Sequence, residues 1–98
     1  MAEKKKFIDH FPNGKIKAKG HYKNDKKEGK WSYYDKTGQI EAIGHYMDGE
    51  LHGKTLQFYP SGQKMLMGSF KNGISHGKFI KWFQNGNKKQ EQIGRIIL

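Results

Sequence analysis

Apolar and polar side chains alternate along short stretches of this chain, and turns that contain glycine separate the stretches. A period of two places successive side chains on opposite faces of a β-strand. No stretch carries apolar residues at helical spacing over enough length to predict a helix. The hydrophobic pattern therefore predicts an all-β protein.

The pattern itself recurs every 24 residues. Four columns of glycine or aromatic residues keep this step: Gly14, Gly38, Gly62 and Gly86; Gly20, Gly44 and Gly68; Gly29, Gly53 and Gly77; and Tyr22, Tyr46 and Phe70. Each unit contains two extended runs around a short turn such as Pro12-Asn13-Gly14, which predicts a β-hairpin. We therefore expect one repeat domain over residues 1–98, with about eight strands and units at about 5–28, 29–52, 53–76 and 77–98.

Alternation within each strand predicts which side chains share a face. On the second strand of the first unit, Ala18, Gly20 and Tyr22 share one face, and we expect the Gly20 column to let an aromatic ring lie against the backbone. The opposite face is predicted to carry a second set of rings, mixed with lysines: Phe7, Trp31, Tyr33, Tyr59, Phe79 and Phe83. A solvent-facing side would normally hold fewer rings, so this second aromatic face predicts a binding surface.

Charge and composition narrow the function classes. The chain has 19 Lys and Arg against 9 Asp and Glu, a net charge of +10, which favours an acidic partner or simply keeps two exposed sheet faces soluble. The absence of cysteine excludes disulfides and cysteine-ligated zinc. The charged beginning of the chain is unlike a secretory signal, and no apolar run has membrane-helix length, so we expect a cytoplasmic protein.

Catalytic and metal chemistry find little support in the sequence. Of the five histidines, His21 and His45 are one repeat apart, as are His52 and His76. The repeat explains this spacing better than a metal site does, and the carboxylates are scattered. We therefore expect no enzyme activity, no metal and no cofactor.

The repeat unit resembles the bacterial variant of the MORN repeat. The stretch that carries most of the resemblance is Lys23-Asn24-Asp25-Lys26-Lys27-Glu28-Gly29-Lys30-Trp31-Ser32-Tyr33-Tyr34. The resemblance continues over residues 37–46, recurs at Asn72-Gly73 and His76-Gly77-Lys78, and covers roughly residues 5–90. It implies a single-layer, twisted antiparallel β-meander. It also implies the labels that such proteins carry: antitoxin components, lipid kinases whose catalytic domain this chain lacks, and membrane-lipid binding.

The expected function is a non-catalytic protein-binding module. It would be a small stand-alone inhibitor or antitoxin-like protein that neutralises a larger partner with an acidic surface, such as a nucleic-acid-processing enzyme. The predicted partner-binding residues are Trp31, Tyr33, Tyr59, Phe79, Phe83, Lys30, Lys54 and Lys78. Two alternatives are RNA or single-strand binding through a basic aromatic face and binding to an anionic membrane or phosphoinositide. The apolar residues of segment 93–98 also predict self-association at an open sheet end.

Overall fold

The computed structural model describes residues 3–84 and the backbone of residues 88–92. Within these residues the chain forms one open antiparallel sheet and no helix, which confirms the predicted all-β meander. The strands are β1 (Lys5–His10), β2 (Ile16–Lys23), β3 (Lys26–Tyr34), β4 (Ile40–Met47), β5 (Glu50–Leu51), β6 (Gly53–Phe58), β7 (Lys64–Lys71), β8 (Ile74–Ser75), β9 (Phe79–Trp82) and β10 (Lys88–Gln92). Eight strands follow one another in the order β1-β2-β3-β4-β6-β7-β9-β10, and the short β5 and β8 pair with β4 and β7. The predicted self-association segment, residues 93–98, lies outside the described residues.

Two-residue loops join the repeats. Asn24-Asp25, Asp48-Gly49 and Asn72-Gly73 all have positive φ at both positions, which is the geometry of a type I′ hairpin turn. The backbone N–H of Gly49 donates to the carbonyl of Lys27 at 3.0 Å, and that of Gly73 donates to the carbonyl of Leu51 at 2.8 Å. The second and third loops are therefore fastened to the repeat before them, as the stacking of a repeat array requires.

The pairing register corrects the predicted faces. Phe7 pairs with Gly20, Trp31 pairs with Gly44, and Tyr33 pairs with Ala18 and Ala42. Directly paired residues lie on the same face, so the Trp31 ring shares the face of the glycine column rather than opposing it. The predicted second aromatic face is therefore wrong for these residues, because a one-residue difference in register exchanges the two faces of a strand. We call this side, defined by Phe7, Gly20, Trp31, Gly44 and Phe79, the ring face.

The glycine column serves the purpose that the sequence predicted. A Cβ built on Gly20 would lie 2.6 Å from Cγ of Trp31, and one built on Gly68 would lie 2.6 Å from Cζ of Phe79. Real Cβ atoms do not approach a ring this closely, so both rings lie directly on glycine backbone. Trp31 pairs with Gly44, but its ring lies over Gly20, and a Cβ built on Gly44 would meet a milder contact, 3.1 Å from Cε1 of Tyr46.

The opposite side of the sheet has one row that crosses seven strands. In register order the row is Ile8, Lys19, Ser32, Ile43, Leu56, Met67 and Ile80. The last four residues are apolar, whereas the row begins with Ile8, Lys19 and Ser32. We call this side the lysine face, because Lys30 and Lys54 also lie on it, paired with His45 and Ser69.

Candidate binding surfaces

Two of the predicted partner-binding rings belong to the core. Trp31 is 1% exposed and Phe79 is 8% exposed. The indole N–H of Trp31 donates to the carbonyl of His21 at 3.1 Å, and its ring makes an edge contact with Tyr22 at 5.0 Å between centroids. These contacts satisfy the one polar atom of the side chain and cover its surface. Trp31 and Phe79 therefore leave little surface for a partner in this sheet, and their role in binding stays a prediction.

Tyr33 is held in a cluster around a lysine that the sequence did not single out. The Nζ atom of Lys27 donates to the hydroxyl of Tyr33 at 2.8 Å and lies 4.9 to 5.3 Å from the ring centroids of Trp31, Tyr33 and Tyr46. These distances are those of cation–π contacts. Burial, followed by the neighbouring Tyr33 hydroxyl at 3.3 Å, raises the pKa of Tyr46 to about 12. The cluster links β3 to β4 on the ring face.

Tyr59 and Phe83 lie near the other end of the strands. The hydroxyl of Tyr59 donates to the carbonyl of Trp82 at 2.7 Å, so this half-buried ring links two neighbouring hairpins. Phe83 is 48% exposed. Of the predicted rings, Phe83 therefore presents the most surface to solvent, and its role in binding stays a prediction.

The predicted lysines do not accompany the predicted rings. Lys30 and Lys54 are exposed on the lysine face, while Trp31 and Tyr33 lie on the ring face. Lys78 is exposed too and directly precedes Phe79. Lys30 and Lys54 therefore do not form one basic aromatic face with the rings of Trp31 and Tyr33, because they lie on opposite sides of the sheet.

A basic hollow lies at the beginning of the lysine face. Its volume is about 450 Å³, and four lysines and one histidine contribute to its walls: Lys4, Lys6, Lys19, Lys30 and His21. The other residues that line it are Gly20, Glu28, Gly29 and Ser32. Within the described residues none of the four lysines makes an ion pair. The Nζ atom of Lys19 lies 5.8 Å from the ring centroid of Tyr34, in a cation–π contact. Four lysines therefore line the hollow against a single carboxylate, that of Glu28.

The hollow exists because two paired residues depart from the repeat. Lys19 stands in a column that continues with Ile43 and Met67, and Ser32 stands in the column of Ile8, Leu56 and Ile80. Lys19 and Ser32 are direct partners across β2 and β3. In the second half of the sheet the equivalent residues are aliphatic and pack against one another. Comparison of the columns could have identified both departures, but their pairing becomes evident only from the register.

The other features of the described residues concern metal ligands, smaller cavities and membrane spans. No group of three or more His, Cys, Asp or Glu side chains in the described residues could hold a metal ion. Two shallow cavities of about 340 and 350 Å³ adjoin on the ring face and share Gln57, Tyr59 and Met65. Among the described residues, no helix is both long enough and apolar enough to cross a membrane.

The family of the chain follows from these repeats. The model of the MORN repeat variant matches four times, at residues 6–24, 27–48, 51–72 and 75–93. These matches cover most of the chain, and we conclude that it belongs to the MORN repeat variant family. MORN repeats are in general binding modules for proteins or membranes, which agrees with a non-catalytic binding role. No curated protein sequence gives a significant match to the chain.

Proposed function

We propose that this protein is a protein-binding module that captures a partner with an acidic surface and thereby inhibits it, as an antitoxin does. The observation that carries the proposal is the lysine face, where Lys4, Lys6, Lys19 and Lys30 surround a hollow with one carboxylate, Glu28, among them. A rigid sheet with this charge favours rapid capture of an acidic surface.

Two further features support a protein partner over nucleic acid. Base stacking requires accessible rings beside the cations, whereas Trp31 and Tyr33 lie on the opposite side of the sheet from Lys30. The net charge of +10 comes almost entirely from lysine, with Arg95 the single arginine. Arginine is the side chain that most often reads bases directly.

Affinity purification of the tagged chain from its native host, with and without nuclease, tests the proposal. We expect one protein at near-stoichiometric amount in both preparations, and adding the chain should lower the activity of that protein. Recovery of RNA or lipid without a stoichiometric protein would contradict the proposal. Binding that persists while the partner keeps full activity would contradict the inhibitory role alone.

A further inference from the structure

The basic hollow lies where polar residues replace the apolar residues that pack in the other repeats. A repeat array gains stability when each unit presents the same apolar residues to its neighbours. In the second half of the lysine face, Ile43, Leu56 and Met67 are consecutive partners and follow this rule. In the first half the row instead contains Lys19 beside Ser32, which is 5% exposed and forms part of the floor of the hollow.

The arrangement of the charges indicates the kind of ligand. Lys6, Lys19 and Lys30 project from three adjacent strands, so their backbone positions span about 10 Å across the sheet. Lys4 adds a fourth ammonium group beside Lys6. Flexible ammonium groups spread over this distance suit several separate carboxylates better than one compact anion. No arginine lines the hollow, so the fixed guanidinium fork that favours bidentate phosphate binding is absent from its described walls.

The one carboxylate in the hollow is already engaged. The Oε1 atom of Glu28 accepts a hydrogen bond from the backbone N–H of Asp48 at 3.3 Å, in the hairpin loop of the next repeat. Glu28 therefore helps to hold the loop that stacks on its own repeat. The four lysines outnumber it, and the hollow keeps a net positive charge at neutral pH.

We propose that this hollow binds an extended acidic segment of a protein partner, with carboxylates at alternating positions of the segment. Alternate residues of an extended peptide place their side chains on one side, about 7 Å apart. Such spacing lets successive carboxylates reach lysines on neighbouring strands. The inference rests on the proposed function and adds to it the place and the chemistry of recognition: an acidic peptide, bound through Lys4, Lys6, Lys19 and Lys30.

The test compares four forms of the full chain. The first is the wild type, and the second is Lys19→Ile with Ser32→Leu, which restores the repeat pattern and fills the hollow. The third is Lys71→Ile, which removes one positive charge from an exposed position at the end of β7, outside the hollow. Lys4→Gln with Lys6→Gln is a fourth form that removes charge without changing the sheet interior. Thermal unfolding checks that each form is folded.

The probe is a blocked peptide of alternating Glu and Ser residues, and its control has Gln in place of Glu. We expect the wild type to bind the acidic peptide, and binding to weaken by at least about tenfold in the filled form and in the Lys4, Lys6 form. Lys71→Ile should weaken binding by less than about threefold, and the Gln peptide should not bind measurably.

Three results would overturn the inference. One is equal weakening by Lys71→Ile and by the filled form, which would show that only total charge matters. Another is unchanged peptide binding in the filled form. The third is a wild type that binds pyrophosphate or phosphatidylserine vesicles but not the peptide, with this binding lost in the filled form.

The purified partner separates the two proposals. If it binds the filled form as well as the wild type, the hollow proposal fails while the protein-binding function stands. If peptide binding depends on the hollow but no protein partner is recovered, the proposed function fails, and the hollow stands only as a site for acidic peptides.

Discussion

In the second repeat Trp31 covers Gly20 on the ring face, and on the other side of the sheet the neighbouring Ser32 faces the hollow. One repeat later the same two positions are Thr55 and Leu56. The large apolar side chain of the pair therefore lies on the ring face in the second repeat and on the lysine face in the third. Thr55 donates a side-chain hydrogen bond to the carbonyl of Ile43 at 3.3 Å, and Leu56 joins the aliphatic row. The first half of the sheet therefore has one apolar face, while the second half has apolar residues on both.

The comparison shows how a repeat scaffold can free part of its surface. The Lys27 cluster and the rings around Trp31 concentrate the core of the first half on one side. The lysine face of the first half therefore does not require apolar residues for stability, and it carries charged residues instead. The following predictions test this division of roles.

The largest expected effect is the loss of the Trp31 ring. Trp31→Ala should destabilise the protein by about 3 to 5 kcal/mol, because it leaves a cavity over Gly20 and removes the contacts of a buried aromatic side chain. Thr55→Ala, at the equivalent position of the next repeat, should cost about 1 kcal/mol, mainly its hydrogen bond. Equilibrium unfolding in urea measures both. Similar costs for the two would contradict the assignment of the first core to the ring face.

The next largest expected difference in stability is between alanine substitutions at two positions of the glycine column. Gly20→Ala should cost about 3 kcal/mol, since the new methyl group overlaps the Trp31 ring and the ring has no free space into which to move. Gly44→Ala should change stability by less than about 1 kcal/mol, because its nearest atoms lie 3.1 and 3.3 Å away on flexible side chains. Neither glycine has positive φ, so backbone strain does not enter the comparison. Equal effects in thermal unfolding would show that the rings do not require the glycines.

On the lysine face, a substitution in the third repeat should cost more stability than the equivalent substitution in the second repeat. Leu56→Ala should cost about 2 kcal/mol, because it interrupts the aliphatic row at a half-buried position. Ser32→Ala should cost less than about 1 kcal/mol. If Ser32→Ala proved the more damaging change, the aliphatic row would not be the second core.

The smallest expected effect is a pH dependence in the Lys27 cluster. The pKa of Tyr46 is raised from its ordinary value of 10.0 to about 12 in the folded protein. The unfolded chain therefore loses this proton first, and stability should fall as pH rises from about 10 to 12. Because Tyr46 is only partly buried, the loss due to this group should be about 1 kcal/mol. Tyr46→Phe should show a correspondingly smaller decline in stability across this range. An identical decline in the two proteins would exclude the group as a cause.

The fold was accessible from the sequence because it is a local property of each unit. The 24-residue period, the loop residues Asp48-Gly49 and the Gly20 column each act within one hairpin or between adjacent strands. The faces were less accessible, because register depends on irregularities that the hydrophobic pattern does not reveal. The pairing shifts by one residue between Asp9 and His10 and, one repeat later, between Tyr33 and Tyr34. These shifts put Trp31 and Tyr33 on the ring face, whereas the hydrophobic pattern predicted the opposite face.

The hollow was hidden for a related reason. The repeat makes Lys30, Lys54 and Lys78 conspicuous because they recur. The lysines that gather around the hollow include Lys19, which interrupts its column. A position that breaks the repeat carries more information about function than one that keeps it, since stacking alone accounts for the latter.

The most direct test of the division between the two halves is the unfolding free energy of the Lys19→Ile, Ser32→Leu form relative to wild type. The replacements extend the aliphatic row through the first half of the sheet, from Ile8 to Ile80. We expect this form to be more stable by about 1 to 2 kcal/mol in urea unfolding, because packing replaces a charged hollow. A form that is equally stable or less stable would contradict the account, since it would mean that Lys19 and Ser32 already contribute as much to the sheet as the aliphatic pairs do.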